Sequence, residues 1–138
     1  MTDASFEVSP VGHVESPLVA VDDAPRQGDE GAPDADIVFD PRFARAVESI
    51  RTGDRLIVLT WLHRARRDVL AVHPRDDPRN PVHGVFSTRS ADRPNPVGLH
   101  TIEVLAVDGV RVRVRNLEAI DGTPVIDVKP VLEPIGKR

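Results

Sequence analysis

A chain of 138 residues and 15.1 kDa is sized for one domain that buries its own core without staples. It contains no cysteine, which excludes disulfides, thiolate nucleophiles, zinc–cysteine sites and iron–sulfur clusters and leaves the redox compartment open. The net charge of −4 hides an asymmetry, because residues 1–36 carry nine acidic side chains and one basic whereas residues 37–138 carry thirteen acidic and seventeen basic.

Sixteen of the eighteen basic residues are arginine, the side chain suited to planar carboxylate and phosphate recognition. No apolar run approaches the roughly 18 residues of a membrane span. The opening MTDASFEVSP lacks the basic and then apolar regions of a secretory signal. The expectation is a soluble cytoplasmic protein with residues 1–7 as a tail, a domain over 8–132 and a second tail over 133–138.

The thirteen prolines and nine glycines are spread along the chain, so short elements alternate with many turns and the predicted class is all-β or β-rich. Val8 to Val14 reads as the first strand. Residues 22–36 follow as a loop of unusual length, with Arg26 its only basic residue and Pro25-Arg26-Gln27-Gly28 its most distinctive part. One short amphipathic helix starts at Asp40-Pro41, where Asp40 caps and Pro41 takes the first helical position. Its apolar stripe is Phe43, Ala46, Val47 and Ile50, and Gly53 marks its stop.

Leu56 to Trp61, Val69 to Val72 and His83 to Thr88 read as further strands. Gly84 to Leu99, GVFSTRSADRPNPVGL, is a turn stiffened by Pro94 and Pro96 around Asn95 and carrying Arg89 and Arg93. A hairpin joins Thr101–Val107 to Val110–Arg115 through Asp108-Gly109, a pair suited to a two-residue type I′ turn. In its second strand Val110, Val112 and Val114 face one way and Arg111, Arg113 and Arg115 the other. That arginine stripe is either a track for a phosphate backbone or a solvated strand face. Leu117 to Pro130 contains a tight turn, Asp121-Gly122-Thr123-Pro124, that gathers backbone N–H groups, a hydroxyl and a carboxylate.

The remaining side chains read plainly. His13, His73, His83 and His100 have no metal-ligand spacing, Ser87, Thr88 and Ser90 suit turn hydrogen bonding, and Trp61 belongs to the core or to a dimer interface.

GVFSTRSADRPNPVGL and DGTPVIDVKP, preceded by VGHVESPL and PRQG, resemble the TsaA-like or TrmO family of S-adenosylmethionine-dependent tRNA methyltransferases, from about Val8 to Leu132. The resemblance implies a compact β-barrel-like core, unrelated to Rossmann-type methyltransferases, in a homodimer. The lack of a glycine-rich dinucleotide fingerprint agrees with that. The implied reaction is N6-methylation of threonylcarbamoyladenosine beside the tRNA anticodon.

The implied S-adenosylmethionine contacts fall at Pro25, Arg26, Gln27, His63, Arg64, Arg89, Leu99, Ile120, Asp121, Gly122 and Thr123. Arg89 or Arg26 would take the α-carboxylate, Asp121 an amine or hydroxyl, and Leu99 the adenine wall. Asp127 and Asp121, with His63 third, are the candidate acceptors of the N6 proton; Asp127 is equally a turn carboxylate paired with Lys129 or an arginine.

The sequence departs from the family where TRSPFRPNP is replaced by Thr88-Arg89-Ser90-Ala91-Asp92-Arg93-Pro94-Asn95-Pro96, around His63-Arg64-Ala65-Arg66, and at Val131 in place of an aromatic. Longer members append a C-terminal domain that helps hold tRNA, and this sequence stops at Arg138. Two alternatives therefore stand beside tRNA methylation: a methyltransferase for a small molecule, and a noncatalytic S-adenosylmethionine-binding module. Arg64, Arg66, Arg67, Arg111, Arg113 and Arg115 discriminate the acceptors, since one patch beside the Arg89 turn favours tRNA and scattering favours a small molecule.

Overall fold

The computed structural model describes residues 4–19 and 31–132. Six antiparallel strands form its wall: β1 (Gly12–Glu15), β2 (Ala35–Phe39), β3 (Arg55–Trp61), β6 (Val97–Asp108), β7 (Arg111–Arg115) and β8 (Pro124–Pro130). Their order is β1-β2-β7-β6-β3-β8, and β8 returns to β1, so the sheet closes into a barrel. The closing seam is short, pairing only Gly12 with Val125 and His13 with Pro124. A separate ribbon of β4 (Ala71–Val72) and β5 (His83–Gly84) stands on the long excursion between β3 and β6. Among the described residues no helix is long and apolar enough to cross a membrane.

Period-2 alternation fills the barrel. Leu56, Val58 and Thr60 of β3, Ile102 and Val104 of β6, and Val112 and Val114 of β7 all point inward, joined by Ile37, Phe39, Val14 and Val125. Arg111, Arg113 and Arg115 point outward, as the alternation predicts.

Several boundaries move for identifiable reasons. The first strand begins at Gly12, not Val8, after Pro10, which has no N–H to offer a ladder. At Gly12 the neighbouring strand comes so close that a Cβ would lie 2.5 Å from the Val38 carbonyl oxygen. Ala35 and Asp36, assigned to the long loop, open β2, and Pro124–Pro130, grouped with a turn, is a full wall strand. His83 to Thr88 is a paired strand only at its first two residues, after which Val85–Ser87 coil into a single 3-10 turn.

The hairpin loop is shifted by one residue. Asp108 pairs with Arg111, leaving Gly109 and Val110 as the turn, and only Gly109 has positive φ (60°). A glycine first with an ordinary second residue is the II′ arrangement, not I′. The helix starts where expected: Asp40 Oδ1 accepts from the Arg42 N–H at 3.0 Å and Pro41 opens a 3-10 turn. The α-helical part, α1 (Ala44–Val47), is a single turn that buries only Val47, too little apolar surface to extend it.

Candidate functional site

Strand direction sorts the connections into two groups. β1, β3 and β7 end, and β2, β6 and β8 begin, at one end of the barrel, so the connections across residues 16–34, 62–96 and 116–123 meet there. The opposite end holds α1 and the Gly109 turn, around a shallow depression of about 360 Å³ that contains none of the predicted site residues. Chain topology therefore brings His63, Arg64, Arg89 and Ile120 to Thr123 to a common end. Pro25, Arg26 and Gln27 lie outside the described residues, within the connection from β1 to β2.

The Leu117–Thr123 segment is tied to the exit of β1. Asp121 Oδ1 accepts from the Ser16 N–H at 3.0 Å, the Asp121 N–H donates to Leu18 O at 2.6 Å, and the Gly122 N–H donates to Val14 O at 2.7 Å. Gly122 takes φ of 83°, which a side chain would strain. Ile120 is buried, and Thr123, 1% exposed, donates its hydroxyl to Ile120 O at 2.7 Å. The carboxylate of Asp121 is exposed and keeps its second oxygen free of protein partners among the described residues. It borders an open cleft of about 590 Å³ with His13, Glu15, Ser16, Asp34 and Arg113.

The 62–96 excursion is pinned at its base by the Leu62 N–H, which donates to Pro96 O at 2.8 Å. Its arginines divide into struts and a free head. Arg93 donates to three carbonyls, Val85 at 2.6 Å, Ser90 at 2.9 Å and Thr88 at 3.2 Å, and so clamps the turn from within. Arg67 donates to Pro94 O at 2.7 Å and Asn95 Oδ1 at 3.0 Å while its guanidinium lies 5.2 Å from the Trp61 ring centre. The Arg66 N–H donates to Asp92 Oδ1 at 2.8 Å, and its side chain pairs with Asp68. Ala91-Asp92, the departure from the family motif, thus supplies a fastening to the adjoining loop. Arg89 is exposed and has no polar partner among the described residues; His63 is likewise exposed. Among the described residues Arg64 reaches only Val19 O, at 3.4 Å.

Two predicted residues sit on the outer wall instead of the turns. Leu99, 44% exposed, pairs with Leu59, and Leu59 pairs with Asp127, so the three form one row across β6, β3 and β8. Asp127 is ion-paired with Lys129 at 3.1 Å.

The β7 stripe is engaged by the protein's own acids. Arg111 contacts Glu15 at 2.8 Å and Asp36 at 2.9 Å, Arg113 contacts Asp36 at 3.2 Å, and Arg115 contacts Glu103 at 3.4 Å. The Arg111 hydrogen bond, followed by that of His13, holds the Glu15 carboxyl below the ordinary range. Arg64, Arg66 and Arg67 belong to the excursion with Arg89, whereas Arg111, Arg113 and Arg115 belong to the wall, where Arg113 borders the Asp121 cleft.

Sequence reasoning passed over one arrangement. His100, 4% exposed, lies 2.7 Å from Thr60 Oγ1 through Nε2 and 2.6 Å from Glu118 Oε1 through Nδ1. The inward alternation Gly98, His100, Ile102, Val104 was the available signal. Among the described residues no three His, Cys, Asp or Glu side chains are placed to hold a metal.

The fold and site define a small closed antiparallel barrel whose polar, arginine-bearing turns gather at one end. Residues 13–136 match the tRNA-methyltransferase O N-terminal domain, and the chain belongs to that family. It is 44% identical over 135 residues to a probable S-adenosyl-L-methionine-binding protein of Methanothermobacter thermautotrophicus, covering 98% of this chain and 96% of that one. A probable S-adenosyl-L-methionine-binding protein of Archaeoglobus fulgidus is 46% identical over 120 residues, covering 87% of this chain and 32% of that one. The crystal structure of TrmO from Pseudomonas aeruginosa superposes with a TM-score of 0.72 at 24% identity, a likeness of fold. This chain covers 61% of that one.

Proposed function

We propose that this protein is an S-adenosylmethionine-dependent methyltransferase that methylates N6 of threonylcarbamoyladenosine beside the tRNA anticodon. The observation that carries this reading is the convergence of His63, Arg64, Arg89 and Ile120–Thr123 at one barrel end, in a family whose relatives are named for S-adenosylmethionine binding. The residues present fit that zwitterionic cofactor. Among the described residues, Arg89 offers an unpaired guanidinium on a clamped turn for a carboxylate, and Asp121 offers a free carboxylate oxygen for an ammonium or hydroxyl.

S-adenosylmethionine supplies a methyl group on a sulfonium for in-line displacement, a reaction accelerated chiefly by alignment. The chain's residues then have two tasks: holding the donor through the turns, and accepting the proton that leaves N6. Asp121 and His63, exposed at the turn end, are the candidates for the second; Asp127 lies on the wall beside Leu59 and is paired with Lys129. We also propose a cytoplasmic homodimer in which the outward row of Ile57, Leu59, Trp61, Val97 and Leu99 is the shared face.

A small-molecule acceptor is the second reading. It is favoured by the self-paired β7 stripe, whose three guanidinium groups are already engaged by Glu15, Asp36 and Glu103. Transfer of labelled methyl from S-adenosylmethionine to tRNA carrying threonylcarbamoyladenosine, against the same tRNA lacking it, tests the first reading. Methylation only of the modified tRNA is expected. Cofactor binding without transfer to either tRNA refutes tRNA methylation and moves the search to small acceptors; no cofactor binding refutes both.

A further inference from the structure

The Thr60–His100–Glu118 chain is the most completely buried polar arrangement outside the site already described. On a surface, a hydroxyl, an imidazole and a carboxylate in this order would suggest an activated nucleophile. Here Thr60 is 0% exposed, so no substrate reaches its hydroxyl. The Glu118 carboxylate can only accept from the ring, so Nδ1 carries a proton, while Nε2 shares a hydrogen bond with the Thr60 hydroxyl. No buried side-chain polar atom is left without a partner among the described residues.

The two ends of this chain differ in what else holds them. Thr60 lies in β3 between β6 and β8, with ladder partners on both sides, and its position does not depend on His100. Glu118 lies in Leu117–Thr123, outside every ladder. Buried Leu117 and Ala119 fix how deep that segment sits, but apolar contacts are not directional. Hydrogen bonds from Asp121 and Gly122 tie the far end of the segment to the exit of β1, and the Nδ1–Glu118 bond is, among the described residues, the side-chain tie that fixes its near end to the β6 wall. Two residues beyond Glu118 begin Ile120, Asp121, Gly122 and Thr123. Gly98 makes the tie possible, since a Cβ there would press on Thr60 Oγ1 and lie 2.8 Å from His100 Nε2.

We infer that His100 is a positioning residue: through Glu118 it sets the height and orientation of the Ile120–Thr123 turn, and so the affinity for S-adenosylmethionine. The inference rests on the proposed function above. Its test is titration of the 138-residue protein with S-adenosylmethionine, with thermal unfolding measured on the same samples. Glu118→Ala, at a side chain 15% exposed where water can replace it, is expected to weaken binding at least about tenfold. Glu118→Gln, whose carbonyl still accepts from Nδ1, stays within about threefold of wild type. Thr60→Val, which breaks the other end of the chain, lowers the Tm but leaves the Kd unchanged.

If Glu118→Ala does not fold, the pair His100→Asn and His100→Gln replaces it. Asparagine places its amide where Nδ1 was and keeps affinity, whereas glutamine reaches toward Thr60 and loses it. Equal affinity in wild type and Glu118→Ala overturns the inference, as does a Thr60→Val that weakens binding as much as Glu118→Ala. A folded wild type that binds no S-adenosylmethionine overturns the functional reading itself and the inference with it.

Discussion

Replacing Gly98 with alanine tests whether the barrel is as tightly closed over its polar plug as the geometry requires. The added Cβ meets Thr60 Oγ1, lies 2.8 Å from His100 Nε2 and 3.1 Å from Leu62 Cδ2, and none of the first two can retreat without breaking the 2.7 Å bond between them. Overpacking of this kind costs about 1–3 kcal/mol, and the lost hydrogen bond adds about 0.5–1.5 kcal/mol. Removing a glycine also reduces the freedom of the unfolded chain, which offsets about 0.4–1 kcal/mol. The net is about 0.5–4 kcal/mol, or a Tm lower by roughly 2–15 °C for a chain of this length. Calorimetry on wild type, Gly98→Ala, Thr60→Ala and the double variant measures it. Because Thr60→Ala removes the atom most encroached upon, the double variant should be more stable than additivity predicts by at least ~0.5 kcal/mol. A single variant within about 2 °C of wild type, or strict additivity, refutes the packing argument.

Arg89→Ala should weaken S-adenosylmethionine binding about ten- to a hundredfold with no change in Tm, since the side chain is exposed and unpaired among the described residues; calorimetric titration beside a melting curve checks both. Arg93→Ala removes the donor to three carbonyls, and limited proteolysis should show new cleavage between residues 85 and 96 that wild type resists; an unchanged digestion pattern rules out the clamp. Glu15, whose carboxyl is held low first by Arg111 and then by His13, contributes stability that is present above the unfolded carboxylate value and lost as pH falls through the folded one. The Tm of wild type should therefore be flat down to about pH 5 and fall below it; in Arg111→Gln that acid limb is shallower, and high salt shrinks the difference.

What could be read from the sequence was whatever depended on neighbours in the chain. The Val/Arg alternation of β7 and the Asp40-Pro41 helix start are local, and both stand as read. The glycine of the hairpin was also visible, but a one-residue choice of register decided between two turn types, and register is set by the partner strand. β2 was missed, its first two residues given to the loop, because its only local signal, Ile37-Val38-Phe39, is short and abuts an acidic, proline-bearing stretch. The site shows the same division. Recognisable turns carried His63, Arg64, Arg89 and Asp121, and topology brought them together. The pairing of the arginine stripe with Glu15, Asp36 and Glu103, and of His100 with Glu118, depends on contacts between residues up to 96 apart, and no spacing rule exposes those.

The short seam between β1 and β8 has a consequence for how the protein breathes. With so few ladder pairs, this is where the wall should part first, as a local opening far cheaper than global unfolding. The bonds from Ser16, Leu18 and Val14 to Asp121 and Gly122 straddle the same line. A molecule bound across those turns would act as a rivet over the joint, slowing amide exchange along Val11, Val14 and Val125 well beyond its own footprint. The barrel's weakest join would then report occupancy of its turns, with ligand affinity and wall cooperativity drawn from one equilibrium.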